Sequence, residues 1–332
     1  MCEEQCEGSP RRLRLRQHLR PARQRRPGDF RTRVSATSGV AAAAGPGDRL
    51  AALEAELASV RAELDDLNLL YQATIEHGEA VEDQLAEANL ALQTTQKRLT
   101  EELTEAANYI FSILPEPRTA SPVTEWLLLP STELGGDSFG YHDIDADHMA
   151  FYLLDVCGHG VGAALLSVTA INVLRSAALP NTDFRDPGAV LSALNDAFPM
   201  ERQHNMYFTI WYGVLTRSTG VLRYASGGHP PSVLRRADGS VLTLSTPGIA
   251  IGMMEAMSYR AAECTVGAGD RLHLVSDGTF EVETSPGQML AFQDFVDRLA
   301  RSETPGEVLD WVRGLNGPGP LPDDFSLLNI RF

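Results

Sequence analysis

Five aspartates recur at one kind of place in this 332-residue chain, the end of a strand-like run or the edge of a glycine turn. Asp137 lies in "ELGGDSFG", and Asp155 closes the apolar run "MAFYLL" just before "CGHGVG". Asp277 follows "RLHLVS" and precedes Gly278, while Asp323 and Asp324 directly precede "FSLLNIRF". One aspartate in such a setting is a turn former or a helix cap. Four such settings are harder to explain as turns. If the carboxylates converge, a pair 4 Å apart repels by about 1 kcal/mol in water and roughly four times that in a partly shielded cleft. Hard divalent cations remove that cost, and carboxylates with backbone carbonyls and water are the ligands Mg²⁺ and Mn²⁺ prefer. Glycines at 135, 136, 158, 160 and 278 let the backbone come close to such ions. A carboxylate cluster without Cys or His ligands points to two-metal hydrolysis.

These residues need a scaffold. Short β-like runs ("VTEWLLL", "MAFYLLDV", "YFTIWYGVL", "GVLRYAS", "SVLRR", "SVLTL", "DRLHLVSDG", "FSLLNIRF") are separated by Gly, Pro and Asp turns. Helical patterns over 162–178 and 187–198 interrupt them, with others near 288–301 and 304–313. Strands, a helix pair and strands again make an α+β order rather than strict βαβ alternation.

The first part of the chain is built differently. Residues 1–46 mix Arg, Pro, Gly, Ser and Ala without apolar periodicity and are expected to be a disordered basic tail. From Leu50, steps of seven give Leu50, Leu57, Leu64, Tyr71, Gly78, Leu85, Leu92 and Leu99. Between them fall Leu53, Val60, Leu67, Thr74, Val81, Ala88 and Thr95, an a/d seam of about seven heptads weakest at Thr74 and Gly78. After Leu99 the apolar spacing changes phase to Leu103, Ala106, Ile110 and Ile113. Pro115 and Pro117 end the helix. The reading is a coiled-coil helix over 47–114 that forms a homodimer through 50–113, with a helix folded back on its own domain as the alternative.

With the motifs in view, the stretch from about 118 to 332 resembles the metal-dependent serine/threonine phosphatases (PPM type), in their bacterial SpoIIE-like and RsbU-like branch. "GGDSFG", "DVCGHGVGAALLS", "YFTIWYGVL", "YASGGHPP", "LHLVSDGTFE" and "DDFSLLNIRF" follow that family's motif order. The resemblance implies, over 115–332, two antiparallel β-sheets packed as a sandwich flanked by helices (α-β-β-α), with two manganese or magnesium ions at one edge. It implies that Asp155 bridges the ions with the Val156 carbonyl beside it, and that Asp137, Asp277 and Asp323 each bind one ion. Asp324 is a possible substitute ligand. His159 and His229 are candidates for a proton donor and a phosphate or water contact, beside the plainer reading of hydrogen-bonded turn histidines. Some positions depart from the family pattern. Gly140 stands where many relatives carry a second aspartate, Cys157 replaces a common serine, "QMLAFQDF" lacks the usual Phe-Gly, and the stretch before Asp323 is rich in Gly and Pro.

The implied function is hydrolysis of phosphoserine or phosphothreonine by a water shared between the two ions, on a small phosphorylated anti-sigma-factor antagonist in a partner-switching pathway. The alternative is a catalytically silent phosphatase-like binding module. Two other readings fail on the residues. Ser138 in "GDS" would suit a serine esterase, but no histidine follows His273. "GHGVG" resembles a dinucleotide-binding turn, but no acid stands near 175 at a second strand end.

Charge and composition narrow the partners. The net charge of −16 hides ten arginines against four acids in residues 1–33, so the remainder carries about −22. Such an acidic body argues against nucleic acid or an anionic membrane surface. No run reaches the ~20 apolar residues of a membrane span, and the four scattered cysteines suit a cytoplasmic protein.

Overall fold

The computed structural model describes residues 45–285, 287–317 and 319–332. The tail expected over 1–46 therefore lies outside the described residues up to position 44. Pro46 already opens a helix. The chain divides into two compact units, one ending at Leu90 and the other running from Ala91 to Phe332. Helix α1 covers Pro46–Ile113, within a residue of the span its heptads predict.

The second unit takes its shape from strands buried on both faces. Strand β3 (His148–Val156) shows why. Met149, Phe151 and Leu153 alternate with Ala150, Tyr152 and Leu154, and all six are buried. Side chains of a strand alternate between faces, so an unbroken apolar run needs cover on both. Around it stand β2 (Ser138–Asp143), β4 (Phe208–Thr216), β5 (Val221–Gly227) and β8 (Ala262–Thr265), in the antiparallel order β2-β3-β4-β5-β8. A second antiparallel sheet has the order β1-β12-β9-β6-β7. Its members are β1 (Val123–Leu129), β12 (Phe325–Arg331), β9 (Arg271–Val275), β6 (Ser232–Arg235) and β7 (Val241–Leu244). A small hairpin, β10 (Glu283–Ser285) with β11 (Gln288–Met289), stands apart from both.

Three apolar clusters define the layers. Phe139, Phe151, Leu153 and Trp211 from one sheet meet Leu234, Leu272, Leu274 and Leu328 from the other. On the outer face of the first sheet, Tyr152, Leu154, Ile210 and Tyr212 pack on helices α2 (Val161–Arg175) and α3 (Pro187–Ala197). On the outer face of the second, Val233, Val275, Phe325 and Leu327 pack on α4 (Phe292–Leu299) and α5 (Pro305–Asn316). The result is the expected α-β-β-α sandwich.

Two of the sandwich helices, α3 and α5, start at side-chain caps. Asp186 accepts from the Gly188 and Ala189 amides at 3.0 and 3.4 Å, with Pro187 in the first turn of α3. In α5, Thr304 Oγ1 accepts from the Glu307 amide at 3.4 Å, and the Glu307 carboxylate accepts from the Glu303 amide at 3.0 Å. The end of α1 is sewn to the sandwich. Phe111 and Leu114 pack on the inter-sheet cluster, Trp126 Nε1 donates to the Pro115 carbonyl at 3.0 Å, and Tyr141 Oη donates to the Glu116 carbonyl at 2.6 Å.

Eight of the strands coincide with the runs read from sequence, and three of the four sandwich helices fall where periodicity places them, while α4 starts only at Phe292 because Gln288–Met289 pair as β11. Strand β2 was hidden, because its first residues read as a glycine turn. Strand β8 and the β10–β11 hairpin were hidden as well, for want of alternating apolar residues.

Candidate metal centre

Both sheets bring their acidic residues to one end of the sandwich. In the first sheet, Ser138 pairs with Leu154, so Asp137 and Asp155 stand one step beyond that pair on neighbouring strands. Asp155 also lies opposite Thr209 on β4, whose buried Oγ1 has no hydrogen-bond partner. In the second sheet, Leu327 pairs with Val275. The next step brings Ser276 beside Ser326, with the Ser276 amide donating to the Ser326 carbonyl at 3.0 Å. Asp277 opens a short 3₁₀ turn just past β9, and Asp323 and Asp324 lead into β12.

The turn after β3 has the shape its glycines allow. Gly158 and Gly160 have φ of +88° and +86°, in the left-handed region that side chains with a Cβ avoid. Gly136 lies flat against this turn. A Cβ built on it would come within 2.5 Å of the Val156 carbonyl oxygen and 3.2 Å of that of Gly158.

The electrostatics are those of acids crowded together. Burial is the main reason that Asp155 is pushed up to about 7, and the charges next in weight, Asp277, Asp323, Asp324 and Glu281, are all carboxylates. Asp277 is pushed up to about 6, first by burial and then by Asp323 and Glu281. Asp137 is raised well above the usual carboxylate range, chiefly by burial and then by Asp155. Its Oδ2 is buried and has no hydrogen-bond partner. Among the described residues, no three His, Cys, Asp or Glu side chains close tightly enough to form a finished cation cage. The donor set nevertheless fits hard divalent cations: oxygen ligands only, mutually repelling, one with a bare buried oxygen, beside an approachable backbone carbonyl. Glu281 belongs to this acidic group although its place in "DGTFE", inside a turn rather than at a strand end, does not mark it in the sequence.

The histidines differ. His159 is exposed at the tip of the turn, between the two left-handed glycines. His229 is buried, and its Nδ1 lies 3.0 Å from the Pro230 carbonyl, which can only accept. The ring proton therefore sits on Nδ1. Burial pushes the ring down to about 4, which leaves Nε2 a bare acceptor without a partner.

One departure from the pattern of the resembled family, Gly140, has a physical cause, and another, Cys157, keeps a hydrogen bond. Gly140 pairs with Tyr152, and a Cβ at 140 would lie 2.5 Å from the tyrosine ring. Cys157 Sγ accepts from the Tyr207 amide at 3.2 Å, a place a serine oxygen can also fill.

Comparison with known proteins bears on this arrangement. The chain is 26% identical over 159 residues to the phosphoserine phosphatase RsbP of Bacillus subtilis, covering 47% of this chain and 39% of that protein. It is 26% identical over 225 residues to the phosphoserine phosphatase RsbU of the same organism, covering 67% and 64%. The chain thus spans less than two thirds of either relative. Among solved structures, the SiaA-PP2C domain of Pseudomonas aeruginosa superposes with a TM-score of 0.62 at 24% identity, over 72% of this chain and 98% of that one. The PP2C phosphatase domain of SpoIIE from Bacillus subtilis, with a fragment of its regulatory domain, gives 0.55 at 18% identity, over 63% and 62%. These likenesses establish the PP2C-like fold. Residues 145–332 match the family described as Stage II sporulation protein E (SpoIIE), and on that match the chain belongs to the SpoIIE family.

Proposed function

We propose that the chain is a metal-dependent protein serine/threonine phosphatase acting on phosphoserine or phosphothreonine. The observation that carries this reading is the delivery, from both sheets, of mutually repelling carboxylates, Asp137 buried and Asp155 and Asp277 half-buried, to one end of the sandwich. Asp155 would bridge two manganese or magnesium ions, with Asp137, Asp277 and Asp323 each holding one and the Val156 carbonyl completing the set. The ions would supply the charge that activates a water and neutralises the phosphoryl oxygens. The chain's own part is orientation. The Gly158–Gly160 turn holds the Val156 carbonyl against Gly136, and burial keeps competing solvent from Asp137. His159, exposed at the tip of the turn, is placed to give a proton to a leaving group, and the bare His229 Nε2 is suited to accept from a water.

The substrate we infer is a phosphorylated anti-sigma-factor antagonist in a partner-switching pathway, as the family resemblance implies. The protein acts as a homodimer through 50–113, supported by the exposed apolar seam of α1. No helix among the described residues is long and apolar enough to cross a membrane, and we place the enzyme in the cytoplasm. A silent binding module is less favoured, because it has no use for carboxylates that repel one another. Manganese-dependent hydrolysis of a phosphoserine peptide tests the reading. Asp155→Asn and Asp277→Asn should each abolish turnover with the fold retained, and chelation should do so reversibly. Undiminished hydrolysis in excess EDTA would refute it.

A further inference from the structure

Asp324 differs from the acids around it in having its carboxylate fully engaged by the chain. It is buried, although Asp323 beside it is exposed. Its Oδ1 accepts from the Ser131 amide at 2.7 Å and from Ser131 Oγ at 3.0 Å. Its Oδ2 accepts from the Gly136 amide at 2.7 Å and from the Asp137 amide at 3.4 Å. A carboxylate offers about four lone-pair sites, and four donors occupy them.

The backbone of Asp324 is held equally closely. Its amide donates to Asp323 Oδ1 at 2.7 Å, and its carbonyl accepts from Ser276 Oγ at 3.0 Å. The same Ser276 oxygen accepts from the Ser326 amide at 3.0 Å. Two glycines leave room for these contacts. A Cβ at Gly135 would lie 2.2 Å from Asp324 Oδ2, and one at Gly278 would lie 2.2 Å from the Asp324 carbonyl oxygen. Neither glycine has a left-handed φ that would require it. Close approach to Asp324 is what excludes a side chain at each. Three segments, 131–137, 276–279 and 323–326, thus meet on this one residue.

We propose that Asp324 is not a metal ligand but a positioning residue, whose carboxylate fixes the 131–137 turn and so aims the Asp137 carboxylate. Binding a cation would take lone pairs from four donors and leave buried amides unpaired, a desolvation cost with nothing to offset it. Asp323, exposed and with one oxygen engaged by a single amide, carries no such cost. Partners that orient ligands from behind typically change metal affinity by about 10–100-fold when removed.

The inference deepens the metal reading and rests on it only for its effect on affinity, so the test has a half made without metal. In chelator-treated full-length protein, backbone amide exchange at 131–137 is measured for wild type, Asp324→Asn, Gly135→Ala and Asp137→Asn. Mn²⁺ affinity is then measured by calorimetric titration. Asp324→Asn should speed exchange at Gly136 and Asp137 by about tenfold or more and weaken Mn²⁺ by a factor in the range above. Gly135→Ala should do the same although it removes no charge, because its methyl group displaces the carboxylate. Asp137→Asn should weaken Mn²⁺ while leaving the Gly136 amide protected. If Asp324→Asn fails to fold, Gly135→Ala carries the test. Weakened Mn²⁺ with unchanged metal-free exchange in Asp324→Asn would make Asp324 a ligand and overturn the inference. Unchanged affinity and exchange would overturn it too. A wild-type protein that binds no Mn²⁺ would refute the metal reading, while the exchange result would still decide whether Asp324 holds the turn.

Discussion

The strands of the sandwich and helix α1 are both rich in large apolar side chains, yet they treat them in opposite ways. Phe151, Trp211 and Tyr212 are fully buried, whereas Leu53, Leu64 and Leu85 on α1 are 63, 55 and 60% exposed. The sandwich closes on itself, because each sheet has a second sheet on one face and helices on the other. The stripe on α1 repeats every 3.5 residues, the spacing that suits another helix rather than a sheet. Burying a leucine is worth roughly 1.5–3 kcal/mol, so a row of them left in water asks for a partner. Self-sufficiency of the sandwich and dependence of the helix are separable properties, and substitutions can test each alone.

The largest effect should come from Gly140. An aspartate there would match the pattern of the resembled family, but its Cβ would meet the Tyr152 ring at 2.5 Å. Overpacking of this kind costs about 1–3 kcal/mol, and a charge buried without a partner adds to it. Gly140→Asp should therefore lose several kcal/mol in urea unfolding, and Gly140→Ala less. A Gly140→Asp protein that unfolds at the wild-type midpoint would mean that Tyr152 is not held where the interleaved layers require it.

Next in size is an acid sensitivity centred on His273. This ring is buried on β9 with Nδ1 at 2.6 Å from Asn329 Oδ1. Burial foremost, with Arg235 and Arg271 acting the same way, pushes it down to about 4, against the opposing influence of Asn329 and Glu303. Between pH 6.5 and about 4 the unfolded chain binds a proton that the folded one refuses. The stability contributed is thus complete above 6.5 and is lost as the pH falls through the folded value. That loss amounts to about 3 kcal/mol at most. The raised carboxylates at the metal centre titrate with the opposite sign, so the comparison is between wild type and His273→Gln over the same pH range. The variant should show the shallower loss on acidification, and parallel curves would contradict the assignment.

How much of this was legible in the sequence depends on what each feature rests on. The β3 run was readable because burial on both faces leaves an uninterrupted apolar string, and α1 because seven-residue spacing needs no tertiary information. Strand β2 was not, since "SFGYHD" follows two glycines and owes its strand to pairing with β3. The convergence of acids was suggested by their shared strand-end settings. The engagement of Asp324 by Ser131 and Gly136 joins residues 193 and 188 positions apart, and no local pattern records it. Glu281 is illegible for the same reason, since it joins the acidic group only through the turn after β9.

The smallest effect on the sandwich, and the sharpest on the helix, should follow from breaking the seam. Leu64→Asp with Leu85→Asp places a charge on each side of the weak stretch at Thr74 and Gly78, where pairing would bury it unpaired. Both side chains are exposed, so the melting of residues 91–332 should move by no more than about 0.5 kcal/mol. Light scattering should show the mass fall from two chains to one, and a wild-type monomer would remove the dimer altogether. Turnover is the more searching measurement. The last turns of α1 share a small, shallow pocket of about 20 Å³ with the acidic end of the sandwich, lined by Ala107, Ile110 and Phe111 on one side and by Gly135 and Asp137 on the other. A change in how α1 ends, in either register allowed by the shift of phase after Leu99, would be felt next to Asp137. The monomeric variant should therefore differ from wild type in turnover and Mn²⁺ affinity as well as in mass. If it becomes a monomer and both stay the same, α1 is a tether and the acidic end works without it.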